Sequence, residues 1–207
     1  MSTLTVVRHA QARPFEKVSD CLSELGERQA RVVGEFFARS SVSFDEVWCG
    51  GLQRHSQTAA LANFSGSITA PEFNEYDAEG ILRGYPPPSA HPDNRAFQKT
   101  FEIAMQKWIA GVQENCESFA SFHARVLQGL CKIQAGESNR RVLLFTSGGP
   151  IGVMVQTALG APPASFADVN WRVRNCSITE FVFSRDRLSL DSFNSVEHLP
   201  QELRTFR

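Results

Sequence analysis

The chain has 207 residues, enough for one α/β domain with a sizeable core. A formal net charge of −1 gives no electrostatic reason to expect nucleic acid or an anionic membrane as a partner, so any phosphate site needs a local concentration of cations. No apolar run is long enough to span a bilayer, and the N-terminus lacks a signal peptide's basic start and apolar middle. The five cysteines (Cys21, Cys49, Cys116, Cys131, Cys176) are scattered and contain no C-x-x-C pair, which favours reduced thiols in a cytosol over a disulfide framework or a zinc site.

The first element is the stretch Leu4–Ala10, LTVVRHA. Its apolar residues predict a buried strand, which places Arg8 and His9 just past the carboxyl end, where open α/β sheets bind ligands. A guanidinium beside an imidazole suits a phosphate: Arg8 can make bidentate bonds to its oxygens, and a neutral His9 can attack phosphorus. Two polar residues at a strand end have a blander reading, as surface groups.

Ser23 is placed to cap a helix with Ala30, Val33 and Phe37 on its core face, ending near Ala38–Ser41. Phe44–Cys49 predicts a second strand, Gly50 and Gly51 break it, and LQRHSQTAALAN follows as a helix. Strand, helix, strand implies a right-handed parallel unit. Arg54 falls in the first turn of that helix, where free N–H groups and the dipole favour an anion. His55 points about 100° away from it and is expected to be a surface or packing residue.

Residues 70–115 are the least regular part and are expected to form a lid-like insertion in a domain spanning 1–207. The segment carries four acids (Glu72, Glu75, Asp77, Glu79), the run Pro86-Pro87-Pro88 and a helix expected from Asn94 to Ala110. One acid could protonate a leaving oxygen, and three are expected to be solvated charges. Its aromatic residues (Phe73, Tyr76, Tyr85, Phe97) suggest a substrate with an apolar part.

Ser118 caps a further amphipathic helix with Phe119, Phe122, Val126, Leu130 and Ile133 on one face. His123, beside that stripe, reads as structural. Arg141–Thr146 is a third buried strand; it stops at Ser147-Gly148-Gly149-Pro150, and a helix opening at Pro150 runs to Leu159 and is closed by Gly160. Cys176–Phe183 and Leu188–Phe193 are expected as two last strands.

With these residues in place, the chain resembles the histidine phosphatase, or phosphoglycerate mutase-like, superfamily. LTVVRHA is similar to its Arg-His-Gly signature, SELGERQA to its first helix start, LQRHSQTA to its second-arginine motif and FNEYDAEG to its acidic motif. ESFASFHARV, FTSGGPIG, NCSIT and FNSVEHL continue the resemblance in order.

The resemblance implies a three-layer α/β sandwich with a mainly parallel central sheet and helices on both faces. It implies His9 as nucleophile, Arg8 and Arg54 as phosphate clamps, and Glu75 as proton donor with Asp77 as a rival. The substrate would be a small phosphorylated molecule, with no metal and no cofactor; the oligomeric state is not specified.

Four positions depart from the family pattern. Ala10 stands for glycine, Gly50-Gly51 for the common Ser-Pro, and the spacing from Glu75 to Gly80 is loose. Ser147 stands for a histidine that donates to the transferring phosphoryl group. A serine hydroxyl still donates one hydrogen bond, and the N–H groups of Gly148 and Gly149 can add to an anion nest, but a possible positive charge is gone. The expected function is therefore a phosphomonoesterase acting through phosphohistidine, with a degenerate phospho-ligand binder as the alternative. A mutase ranks lower, because Tyr76-Asp77-Ala78 stands where dedicated mutases carry histidine-tyrosine-glycine.

Two other enzyme classes fit less well. A cysteine phosphatase needs five residues between cysteine and arginine, and Cys49 and Arg54 are separated by four. A serine hydrolase built on Ser147, Asp191 and His198 has the right order, but Phe145 sits where the nucleophile elbow wants glycine.

Overall fold

The structure, a computed structural model, describes residues 1–13, 20–85, 94–112 and 116–206, and for 94–97 the backbone alone. Pro86-Pro87-Pro88 and the side chain of Phe97 lie outside the described residues.

Strand formation follows the apolar runs. β1 (Ser2–Arg8), β2 (Glu46–Cys49), β3 (Ile68–Thr69), β4 (Arg141–Thr146), β5 (Ile178–Phe183) and β6 (Leu188–Ser195) form one sheet in the order β3-β2-β4-β1-β5-β6. The first four positions in that order are parallel, and β5 and β6 add an antiparallel edge. β1 and β4 are adjacent at the centre, with Arg8 opposite Thr146.

Alternation along these two strands builds two cores. Leu4, Val6, Val142 and Leu144 face one side, where they pack with Phe73, Met105, Trp108, Phe122 and Phe166. Val7, Leu143 and Phe145 face the other, against Ala30, Val33, Phe37 and Ala59. Both faces are dry, which is why VLLF reads as an unbroken apolar run rather than as an alternating one.

The helices cover both faces. α1 (Glu24–Arg39) and α2 (Gln53–Leu61) line the second core. α3 (Ala78–Leu82), α4 (Asn94–Ile109), α5 (Phe119–Gln134), α6 (Gly148–Ala158) and α7 (Ser165–Asn170) lie on the first. This is the three-layer α/β arrangement expected. Ser23 and Ser118 accept hydrogen bonds from the backbone N–H groups of Gly26 and Ser121, so both act as N-caps.

Three local expectations are corrected. α6 opens at Gly148, with Pro150 third in the helix, because a proline without an N–H is tolerated anywhere in the first turn. α3, α7 and β3 are additional elements, each too short to show a period. The strand expected from Phe44 begins at Glu46, and that expected from Cys176 begins at Ile178, because Cys176 has a positive φ of 54°.

Candidate active site

The carboxyl ends of β1 and β4 bring the chemistry together. The His9 backbone N–H donates to the Thr146 carbonyl at 2.7 Å, extending the pairing one step and setting His9 beside Ser147. The His9 ring is buried, with 6% of the residue exposed. Nδ1 lies 2.7 Å from the Ala10 carbonyl oxygen, and a carbonyl can only accept, so Nδ1 carries the proton. Arg54 Nε–H donates to Nε2 at 3.2 Å, which agrees with the same tautomer. Burial lowers the His9 pKa well below its ordinary value, and the charges of Arg54 and Arg8 lower it further. The imidazole is neutral, with the Nε2 lone pair facing a guanidinium.

Arg54 is fixed from behind. Its Nη1 donates to Asp20 Oδ1 at 2.7 Å, while Asp20 Oδ2 accepts the Gln53 backbone N–H at 2.7 Å. Asp20 thus holds both the start of α2 and the guanidinium it carries. Sequence reasoning passed over Asp20, which is only a lone acid in a polar loop. Arg8 donates to the carbonyls of Val173 and Phe206, which ties it to the chain's C-terminal part.

Glu75 reaches the N-terminus of α6, where its Oε1 accepts the Gly149 backbone N–H at 3.0 Å. A Cβ at Gly149 would sit 2.1 Å from that oxygen and 2.7 Å from Tyr76 Cδ1, so glycine is what lets the acid approach the helix. Burial raises the Glu75 pKa, opposed by Arg54 and by the Gly149 bond.

The other three acids are elsewhere. Asp77 Oδ1 caps α3 by accepting from Gly80, Glu79 is exposed on that helix, and Glu72 pairs with Lys132.

Arg8, His9, Arg54, Glu75 and Gly148 line one pocket of about 870 Å³. Tyr76, Leu82, Phe101, Trp171, Val173 and Phe206 supply most of its apolar wall. Residues from the expected lid segment, among them Leu82 and Phe101, form part of that wall.

Ser147 differs from the other candidates. It is fully buried and absent from the pocket wall, and its Oγ lies 2.7 Å from His55 Nε2. His55 is likewise fully buried and is no surface residue; its ring centroid is 5.6 Å from that of His9. Neither residue type announced this pairing, since Arg54-His55 looks like any exposed helical dipeptide. The order Ser147, Asp191, His198 forms no triad. Asp191 is exposed on β6, and His198 packs against Phe36 at 5.1 Å between ring centroids. Cys49 is buried with its thiol pushed up to about 11, which leaves it unreactive. His123 bonds Gln156 Oε1 at 3.2 Å and packs on Phe119, as a structural histidine would.

Comparison with known proteins decides the family. The family model for the histidine phosphatase superfamily (branch 1) matches residues 4–196. The chain belongs to this superfamily.

Its histidine phosphatase relatives include the uncharacterized phosphatase PhoE of Bacillus subtilis, 22% identical over 96% of this chain and 97% of that one. A probable phosphoglycerate mutase GpmB of Yersinia enterocolitica is 27% identical over 86% of this chain and 84% of that one. Among solved structures, a phosphoserine phosphatase of Entamoeba histolytica superposes with a TM-score of 0.69 at 21% identity, covering 97% of this chain and all of that one (100%). A putative α-ribazole-5′-phosphate phosphatase of Escherichia coli gives a TM-score of 0.70 at 18% identity, covering 94% and 98%. At these identities the structural likeness speaks to the fold.

Proposed function

We propose that this histidine phosphatase superfamily member is a cytosolic phosphomonoester hydrolase that passes the phosphoryl group through His9. The observation that carries the reading is the state of His9: buried, neutral, with Nδ1 bonded to the Ala10 carbonyl and Nε2 facing the pocket's arginine. That is the form of imidazole able to attack phosphorus.

In the first step Nε2 forms a bond to phosphorus as the ester P–O bond breaks. Arg8 and Arg54 hold the phosphoryl oxygens, and Glu75, whose burial favours its protonated form, gives a proton to the leaving oxygen. In the second step the Glu75 carboxylate takes a proton from water. The resulting oxygen attacks phosphorus, the N–P bond breaks, and inorganic phosphate leaves with His9 restored. Its relatives' names supply the class of substrate, a small phosphorylated molecule, and the apolar wall of the pocket favours one with an apolar part.

A panel of phosphomonoesters assayed with the wild type and with His9→Ala tests this. Turnover that vanishes in His9→Ala, with a phosphoenzyme mapping to His9 after acid-free quenching, is the expected result. Phosphate release at equal rates in both proteins would remove His9 from the chemistry. Binding of the esters without turnover would leave the degenerate binder.

A further inference from the structure

Glu75 stands on irregular chain. Residues 74–77 lie between a single 3-10 turn, Pro71–Phe73, and the start of α3 at Ala78. A proton donor has to be held close to its productive geometry, and a loop does this less well than a helix or a strand. The backbone that carries Glu75 therefore needs fixing from outside, and α5 supplies the means.

Arg125 lies on α5 about one turn after Phe122, and its guanidinium carbon stands 4.7 Å from the centre of that ring. Its side chain is 22% exposed, so the charge needs partners. Glu117, just before the Ser118 cap, meets it as a fork: Nε–H donates to Oε1 at 2.6 Å and Nη2–H to Oε2 at 2.8 Å. The remaining three N–H groups go to the segment that bears the acid. Nη1 donates to the carbonyls of Glu72 at 2.9 Å and Asn74 at 2.7 Å, and Nη2 to that of Glu75 at 3.2 Å. The Thr146 hydroxyl donates to the Phe73 carbonyl at 2.7 Å. The carbonyls of residues 72 to 75 are thus all held, three of the four by one side chain. From this anchored backbone the Glu75 carboxyl reaches the Gly149 N–H at 3.0 Å.

We propose that Arg125, locked by Glu117, is a positioning residue for the proton donor: its guanidinium fixes the carbonyls of Glu72, Asn74 and Glu75 and so aims the Glu75 carboxyl into the pocket. The proposal rests on the phosphatase reading, with Glu75 as its acid. Neither Arg125 nor Glu117 lines the pocket, so both act from behind the acid and touch no substrate. Arg125 keeps its own protons throughout and works by geometry: the charges that bear on Glu75 are those of Arg54 and Arg8, while that of Arg125 is matched by Glu117. Lysine is no substitute, because a point charge on a flexible stem cannot span a carboxylate and three carbonyls at once.

The test compares Arg125→Lys, Glu117→Gln, Glu75→Gln and the double variant Glu75→Gln/Arg125→Lys on an alkyl phosphate and on nitrophenyl phosphate. Arg125→Lys should lower kcat for the alkyl ester on the order of 10²-fold, the scale of a misplaced catalytic group. The nitrophenyl ester, whose leaving group hardly needs a proton, should stay within about threefold of wild type. KM for both should hold within about twofold, because the acid acts in the transition state. Glu117→Gln, which loosens the fork and leaves the carbonyl bonds, should show the same split at about 10-fold. The double variant should be no slower on the alkyl ester than Glu75→Gln, since Arg125 acts through Glu75. Equal slowing of the two esters, or losses that multiply in the double variant, would reduce Arg125 to a fold residue.

Amide hydrogen exchange gives a readout without turnover. The Gly149 N–H lies in the first turn of α6, has no partner within the helix and donates to Glu75, so its protection reports where that carboxyl is. In Arg125→Lys it should exchange about 10-fold faster while the amides of β4 keep their wild-type rates. Wild-type protection at Gly149, or acceleration that spreads to β4, would overturn the positioning role. Failure of the phosphatase reading shows separately, as a wild type no faster than His9→Ala, and the exchange measurement then still decides whether Arg125 holds Glu75.

Discussion

Replacing Gly50 with alanine tests the fit between the β2–α2 turn and the His55 ring. The new Cβ would sit 2.2 Å from Nδ1. Ordinary contact is about 3.5 Å, so the ring must yield by roughly 1.3 Å. It cannot yield freely, because Phe73 O is 3.0 Å from the same Cβ and His55 is fully buried. A shift of that size breaks the 2.7 Å bond to Ser147. Overpacking of this kind costs about 1–3 kcal/mol, and stranding a buried polar group costs a similar amount. A total near 3 kcal/mol would lower Tm by roughly 6–12 °C in a chain of this size.

Urea titrations of wild type, Gly50→Ala, His55→Ala and the double variant give the numbers directly. Removing the ring first should make the alanine at position 50 nearly harmless, a coupling of at least about 1 kcal/mol. A Gly50→Ala protein within about 0.5 kcal/mol of wild type would refute the steric argument. An equal cost in the His55→Ala background would do the same.

Three further outcomes follow from the site. Glu75→Gln should slow alkyl phosphates far more than nitrophenyl phosphate, because an alkoxide needs a proton and a nitrophenolate hardly does; equal slowing in parallel assays would take Glu75 out of the donor role. The lowered pKa values of His9 and His55 mean that the unfolded chain binds protons more readily than the native one. Stability should therefore be complete above about pH 6.5 and fall as pH drops toward 3, and denaturation at several pH values should show a shallower fall in His55→Gln. Ser147→His should lower both rate and melting temperature, since Ser147 is fully buried against His55; paired with His55→Ala it should recover, and a faster single variant would show that room exists after all.

Long apolar or periodic stretches carried most of the architecture in the sequence. β1, β4, α1 and α5 announce themselves by unbroken or evenly spaced apolar residues and by serine caps. α3, α7 and β3 are five, six and two residues long, too short for any period to register. In the site, Arg8, His9 and Arg54 were legible because strand ends and helix starts are places where chemistry collects, and Glu75 stood out from its neighbours only through the family resemblance. The pairing of His55 with Ser147 joins residues 92 positions apart and depends on the missing side chain of Gly50, a kind of signal that a single sequence does not display. Asp20 was hidden for the same reason, since its partner is 34 positions away.

The Asp20 contact has a consequence for how the pocket lets go of what it makes. Arg54 already has an internal counter-ion, so an arriving phosphate competes with a carboxylate for the same guanidinium. Capture becomes an exchange between two anions, and part of the attraction to the incoming group is spent on displacing the resident one. In the proposed reaction the product, inorganic phosphate, carries the same oxygens as the ester and would otherwise linger. Holding both only moderately keeps the ground state from becoming a trap and shortens the occupancy of the spent site. On the proposed phosphatase reading Asp20 would set the balance between grip and release, and product inhibition should be the kinetic quantity most sensitive to its charge.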